Sequence, residues 1–317
     1  MNKQPFAFLI ASMAIAVIFG SLTTIQAEAE TEAQTAATPE FINVQDGSKI
    51  QLTGDGKPFK PANINQSDKP SNERAIFGGD NRYPMLSRDY PWAAIGRIEG
   101  VKGEGEDKVS YHCTGSLITQ DIVLTNAHCV VDPYTYKVSK EIKFRPNVIN
   151  GRSKDDKDTA VVTKIIAGTN FKEANPSKND WAVVKIDKPL GKKYGHFGWV
   201  SLPTSTMLKH REKFRMIGYS GDFPTSETLK AFPFLKAGEG LTAGVHVGCS
   251  ILKEEAGSLS HDCDTTAGSS GGLIVAQIKG KYYIIALNNA ERFNAYGGPI
   301  DNRAVKVSFL DRLFGRR

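Results

Sequence analysis

An all-β fold is what the sequence predicts from about Ala75 onward, and three observations predict it. Short runs of β-branched, aromatic and other apolar residues recur, each bounded by Gly, Pro, Asn or Asp. Helical spacing appears only in the tail "SFLDRLFGRR", from Ser308 to Arg317. Four cysteines fall within the same region, behind what reads as an export signal, so cross-links are expected to staple the strands. Barrels or a sandwich are what such a pattern builds.

The chain begins with Lys3, an apolar run from Phe6 to Phe19, and an A-x-A site at Ala27 and Ala29. A basic start, a short apolar core and small residues before the cut are the marks of a secretory signal, here residues 1–29. The apolar run falls short of the ~20 residues a bilayer needs, so a membrane anchor is not expected. Export implies a secreted or periplasmic protein that leaves the membrane once the signal is removed. Residues 30–74 change character: "EAETEAQTAATPEF" and "NINQSDKPSNER" are polar and offer no apolar face to bury, so they read as a propeptide or linker.

Strands are expected in order at "HCTGSLI", "DIVLTNAH", "TAVVTKIIAG", "DWAVVKID", "FRMIGYS", "LTAGVHVGCSIL", "LIV" after the serines, "YYIIALNNA" and "RAVKVS". The 317 residues, 40% of them hydrophobic, suffice for a sizeable core. The formal charge of +6 comes from 40 basic and 34 acidic residues that are interspersed, which excludes a dedicated nucleic-acid surface.

In an oxidising compartment four cysteines are usually spent on disulfides, with three possible connectivities; spacing favours Cys113 with Cys129 and Cys249 with Cys263. His112, His128 and His261 lie beside three of the cysteines, as zinc ligands would, but no C-x-x-C spacing is present. No metal and no cofactor are expected.

Three stretches carry the chemistry. "TTAGSSGGLIV", Thr265 to Val275, packs small residues around Ser269 and Ser270 just before a buried strand. "DIVLTNAHCV" ends an apolar strand on His128, which Cys129 would pin by its cross-link, as a general base requires. "NPSKNDWAVVKID" places Asp180 at the mouth of another strand; alone it would be a turn former.

Together these stretches resemble the trypsin-like, chymotrypsin-fold serine proteases. That family's "TAAHC" appears as "TNAHC", its "ND-x-A" as "NDWA", and its "GDSGG" as "GSSGG", in the same chain order. The resemblance implies two antiparallel Greek-key β-barrels, about 75–190 and 191–317, with a short C-terminal helix. It implies a triad of His128, Asp180 and Ser270, an oxyanion hole from the N–H groups of Gly268 and Ser270, and protein or peptide substrates beside the chain's own propeptide, in a monomer. A serine hydroxyl needs a base, imidazole can take and return its proton, and an acid fixes the imidazole's tautomer. A silent, protease-like binding module is the alternative, for which a missing triad residue would be expected. The G-x-S-x-G elbow of an α/β-hydrolase is absent.

"MIGYSGD", "CDTTAGSSGG" and "IFGGDNR" look closest to the bacterial glutamyl-endopeptidase branch. Ser269 stands where trypsin has an aspartate that pairs with the new N-terminus, so the terminus released after Arg74, at Ala75 or Ile76, must be held otherwise. The substrate pocket is expected at Asp264, Thr265 and Asn288. Asp264 would favour Arg or Lys; Thr265 fits a Glu pocket, but Asn288 replaces the histidine that such a pocket uses.

Overall fold

A computed structural model describes residues 41–71, 79–103, 105–173, 176–294, 296 and 299–316. The signal run and the Arg74 site lie outside them. Residues 41–71 form an arm that begins with a small hairpin, β1 (Phe41–Ile42) on β2 (Lys49–Ile50). The arm is docked by hydrogen bonds: Val44 N donates to Ile165 O (2.9 Å), Asn43 Oδ1 accepts from Ile165 N (3.0 Å), and Trp92 Nε1 donates to Ser67 O (2.8 Å). Phe59 and His196 exchange two backbone bonds of 3.0 Å, and Pro70 O accepts from Leu86 N (2.8 Å). Asn43 and Ser71 of this arm are buried. Its attachment combines these backbone and amide bonds with Ile50, Leu52 and Ile64, which pack against the core.

After β3 (Arg82–Pro84) come β4 (Ile95–Lys102), β5 (Val109–Leu117), β6 (Ile122–Thr125), β7 (Lys140–Pro146), β8 (Ala160–Ala167) and β9 (Ala182–Ile186). The last six close into an antiparallel barrel in the order β4-β5-β6-β9-β8-β7. β6 is buried along its whole length, which is why "IVLT" is a continuous apolar run, whereas β8 alternates toward solvent. β4 and β7 were not foreseen. Their charges meet on one side: Arg97 Nε lies 3.0 Å and Arg145 Nη1 3.1 Å from Glu99 Oε1.

Three short helices follow that the sequence did not announce, α1 (Leu190–Tyr194), α2 (Thr204–Lys209) and α3 (Ser226–Ala231), each too brief to show a helical period. Between them run β10 (Gly198–Trp199) and β11 (Phe214–Gly218), and beyond them β12 (Gly244–Cys249), β13 (Ile251–Glu255), β14 (Ser258–His261), β15 (Leu273–Ile278), β16 (Lys281–Phe293) and β17 (Pro299–Lys306). They form a nine-stranded sheet in the order β13-β14-β17-β16-β15-β11-β12-β3, with β10 beside β16. The expected helix is α4 (Ser308–Leu313).

The two halves are not separate bodies. One core cluster runs from Ile98 and Phe144 of the barrel to Ile217, Leu273 and Leu287 of the sheet and on to Leu310 of α4. Phe309 of α4 stacks on Trp181 at 4.1 Å and 8°, so the C-terminal helix buttresses the residue that follows Asp180. Such a stacked pair adds about 1 kcal/mol to the burial of its rings.

Candidate active site

Each chemistry-bearing residue sits where a strand ends. His128 lies in a 3-10 turn, Ala127–Cys129, directly after β6. Cys129 is bonded to Cys113 of β5, Tyr111 Oη donates to Cys129 O, and Lys102 Nζ donates to His128 O (2.9 Å). The imidazole is thus fixed by its backbone on both sides. Asp180 follows the turn Ser177–Asn179 at the entrance of β9 and is buried. Its Oδ2 is 2.8 Å from His128 Nδ1, and its Oδ1 accepts from His128 N (3.0 Å). An acceptor-only carboxylate at Nδ1 puts the ring proton on that nitrogen and leaves Nε2 as a base.

Ser270 is brought to the same place by its neighbours. Thr114 N donates to Ser270 O (2.7 Å), and Cys129 Sγ lies 3.9 Å from that carbonyl. Gly271, at φ +80°, could not carry a Cβ, which would stand 2.1 Å from Thr114 O. Gly268 is the same case: at φ +93° a Cβ would meet His112 Nε2 at 2.3 Å. Among the described residues no hydrogen bond takes up the N–H of Gly268 or of Ser270, while the carbonyls before them are held, Ala267 O by Gly221 N and Ser269 O by Gly272 N (both 2.7 Å). Two free N–H groups beside a serine hydroxyl can receive a developing oxyanion.

One residue that sequence reading passed over ties these loops together. Asn126 is fully buried; its Nδ2 donates to Asp180 O (2.6 Å) and its Oδ1 accepts from Gly271 N (2.5 Å). The signal was present, an asparagine in "TNAHC" where the family pattern has alanine.

A charged groove of about 580 Å³ is lined in part by Arg97, Glu99, Tyr111, His112, Lys143 and Leu241. His112 Nε2 donates to Tyr219 O (2.9 Å), and burial together with the nearby Arg97 guanidinium pushes this imidazole below its ordinary range, so it stays neutral.

Asp264 is one-third exposed, and Asn81 holds its Oδ2 through N (2.7 Å) and Nδ2 (3.1 Å). His246 Nδ1 accepts from Asp264 N (2.8 Å), so that nitrogen carries no proton and the contact to the carboxylate is not an ion pair. Burial holds His246 in this neutral form. Thr265 and Asn288 are buried on the inner side of the serine loop. Both pairs of cysteines are disulfides, Cys113–Cys129 and Cys249–Cys263, so sulfurs that lie close to His128 and Asp262 are bonded to each other and not free to ligate a metal.

A family model described as Trypsin matches residues 76–291. The chain belongs to the trypsin family. Within it, the chain is 25% identical over 274 residues to Serine protease 23 of Bos taurus, covering 77% of this chain and 65% of the relative. It is 26% identical over 231 residues to CLIP domain-containing serine protease B4 of Anopheles gambiae, covering 67% and 61%. These matches span just under two-thirds of the relatives' length. Among solved structures, a Glu endopeptidase in complex with MPD superposes with a TM-score of 0.56 at 21% identity, over 75% of this chain and 97% of that one. A thermostable serine protease, AL20, gives 0.53 at 12% identity, over 71% and 96%. At these identities the likeness speaks for the trypsin-family fold alone.

Proposed function

We propose that the protein is a secreted serine endopeptidase, made as a precursor, that cleaves peptide bonds through an acyl-enzyme. The observation that carries this reading is the hydrogen bond from His128 Nδ1 to the buried Asp180 carboxylate, beside a serine loop with two free N–H groups. Ser270 Oγ attacks the carbonyl carbon of the scissile bond while His128 Nε2 takes its proton. The carbonyl oxygen becomes an oxyanion between the N–H groups of Gly268 and Ser270. His128 then returns the proton to the leaving amine, and water, activated the same way, releases the acid and restores Ser270. The two disulfides and the apolar leader support export.

The reading extends to Arg or Lys before the scissile bond, because Oδ1 of the part-exposed Asp264 takes no hydrogen bond from a described residue and can meet a cation. Kinship with the glutamyl-endopeptidase branch rests on the sequence motifs and belongs to the same proposal. A fluorophosphonate probe tests the core of it: the expected adduct is on Ser270 and disappears in Ser270→Ala together with peptidase activity. An unlabelled wild type would leave the silent binding module as the better reading. A peptide panel varying the residue before the cut, run on wild type and Asp264→Ala, tests the pocket; preference for Glu, or unchanged Arg cleavage in the variant, would remove that role from Asp264.

A further inference from the structure

Asn288 stands on β16 at a bulge. The β16–β17 register slips between Asn288 and Ala290, leaving Asn289 without a strand partner, and both asparagines end a stretch, Ile284–Asn289, that is buried on both faces of the strand. Asn289 reaches Ser177 O (3.2 Å) in the turn before Asp180. Asn288 turns under the serine loop. Its Nδ2 lies 3.3 Å from Ser269 O, 3.1 Å from Ser269 Oγ and 3.3 Å from Thr265 Oγ1. Its Oδ1 is 3.1 Å from Nε2 of His261, a fully buried imidazole. Because the Asn288 amide nitrogen is spent on the loop, its oxygen must accept, and His261 Nε2 is the donor.

The Ser269 hydroxyl donates to Thr266 O (2.6 Å) and so receives from Asn288 and Thr265. This is the position where a trypsin-type carboxylate would hold the loop through an N-terminal ammonium. Here the same side chain is held by neutral groups from within the sheet. The peptide geometry gives the consequence: in a trans unit the C=O and N–H point oppositely, so fixing Ser269 O inward aims the Ser270 N–H outward.

We propose that Asn288, oriented by His261, is a positioning residue that aims the Ser270 N–H at the substrate oxyanion and takes the place of a carboxylate–ammonium pair beneath the serine loop. The proposal rests on the endopeptidase reading above and gives Asn288 a structural partner in the loop instead of a contact with the substrate side chain. Its effect belongs to the transition state, where the oxyanion forms, and not to ground-state binding.

The test compares wild type with Asn288→Ala and with the near-isosteric, donor-free Asn288→Leu, all normalised to active sites titrated by an ester burst. Expected is a fall in kcat of about 10²-fold with KM changed by less than about threefold. Affinity for a peptide aldehyde, which forms a tetrahedral adduct on the serine, should weaken in parallel, and affinity for the cleaved product peptide should not. His261→Leu should move kcat in the same direction. Unchanged kcat per active site in both Asn288 variants, or a loss confined to KM, overturns the proposal while leaving the endopeptidase reading intact. Absence of probe labelling in the wild type sinks that reading instead. If Asn288→Ala does not fold, Asn288→Leu and the aldehyde-to-product affinity ratio of His261→Leu decide the matter.

Discussion

Replacing Asp180 by asparagine changes one atom pair in a site where every direction is fixed. The carboxylate accepts twice from the same residue, Oδ1 from His128 N at 3.0 Å and Oδ2 from Nδ1 at 2.8 Å, and it does so with little access to water. An asparagine has one acceptor and one donor for these two N–H groups. If its NH2 faced the backbone N–H, two donors would oppose each other in a buried site at about 1–3 kcal/mol. The favoured arrangement keeps the oxygen on the backbone and sets the NH2 against Nδ1. The imidazole then accepts at Nδ1 and carries its proton on Nε2, where the base should be. For a base lost this way we expect kcat to fall about 10⁴-fold, or about 5 kcal/mol of transition-state stabilisation, with folding stability nearly unchanged. Peptide p-nitroanilide hydrolysis corrected by active-site titration measures the first, and thermal unfolding the second. A loss smaller than about tenfold, in a variant that folds like wild type, would refute the assignment of His128 as base and Asp180 as its orienter.

Two further outcomes concern stability. The Cys113–Cys129 bond closes 16 residues, which in the chain-entropy account constrains the unfolded state by about 3 kcal/mol, so the Cys113→Ala/Cys129→Ala double variant should lose that much in urea unfolding; a loss below about 1 kcal/mol would contradict it. Burial pushes the His261 imidazole down to about 4 from 6.5, so the unfolded chain takes up a proton first as pH falls. Stability from this group is complete above pH 6.5 and drains away between 6.5 and 4. The drain amounts to about 3 kcal/mol, and His261→Leu should flatten that part of the stability curve. An identical slope in the variant would exclude His261 as its source.

The strands β5, β6, β8, β9, β11 and β15 were legible because each presents uninterrupted or alternating apolar residues to one core. β4 and β7 were not, because Arg97, Glu99 and Arg145 break the apolar pattern and their mutual pairing is visible only once the strands lie side by side. The loops holding His128, Asp180 and Ser270 were legible as three local motifs. Asn126 was legible as a departure from one of them, but its bonds reach 54 residues forward to Asp180 and 145 to Gly271, a span no local pattern encodes. Alignment of motifs alone makes Asn288 a pocket residue. Both faces of β16 are covered from Ile284 to Asn289, and nothing in "ALNNAE" announces that both asparagines are buried.

The docked arm of residues 41–71 bears on what a cut near Arg74 would produce. Its hairpin is hydrogen-bonded to Ile165, its middle to His196 and its end to Leu86, so its hold on the folded body is spread over three distant anchor points and does not depend on the peptide that joins it to residue 79. Severing the chain between 71 and 79 would therefore yield two polypeptides that travel as one particle through a sizing column and part only in detergent. Such a cut would add a chain end without removing residues 41–71 from the folded body.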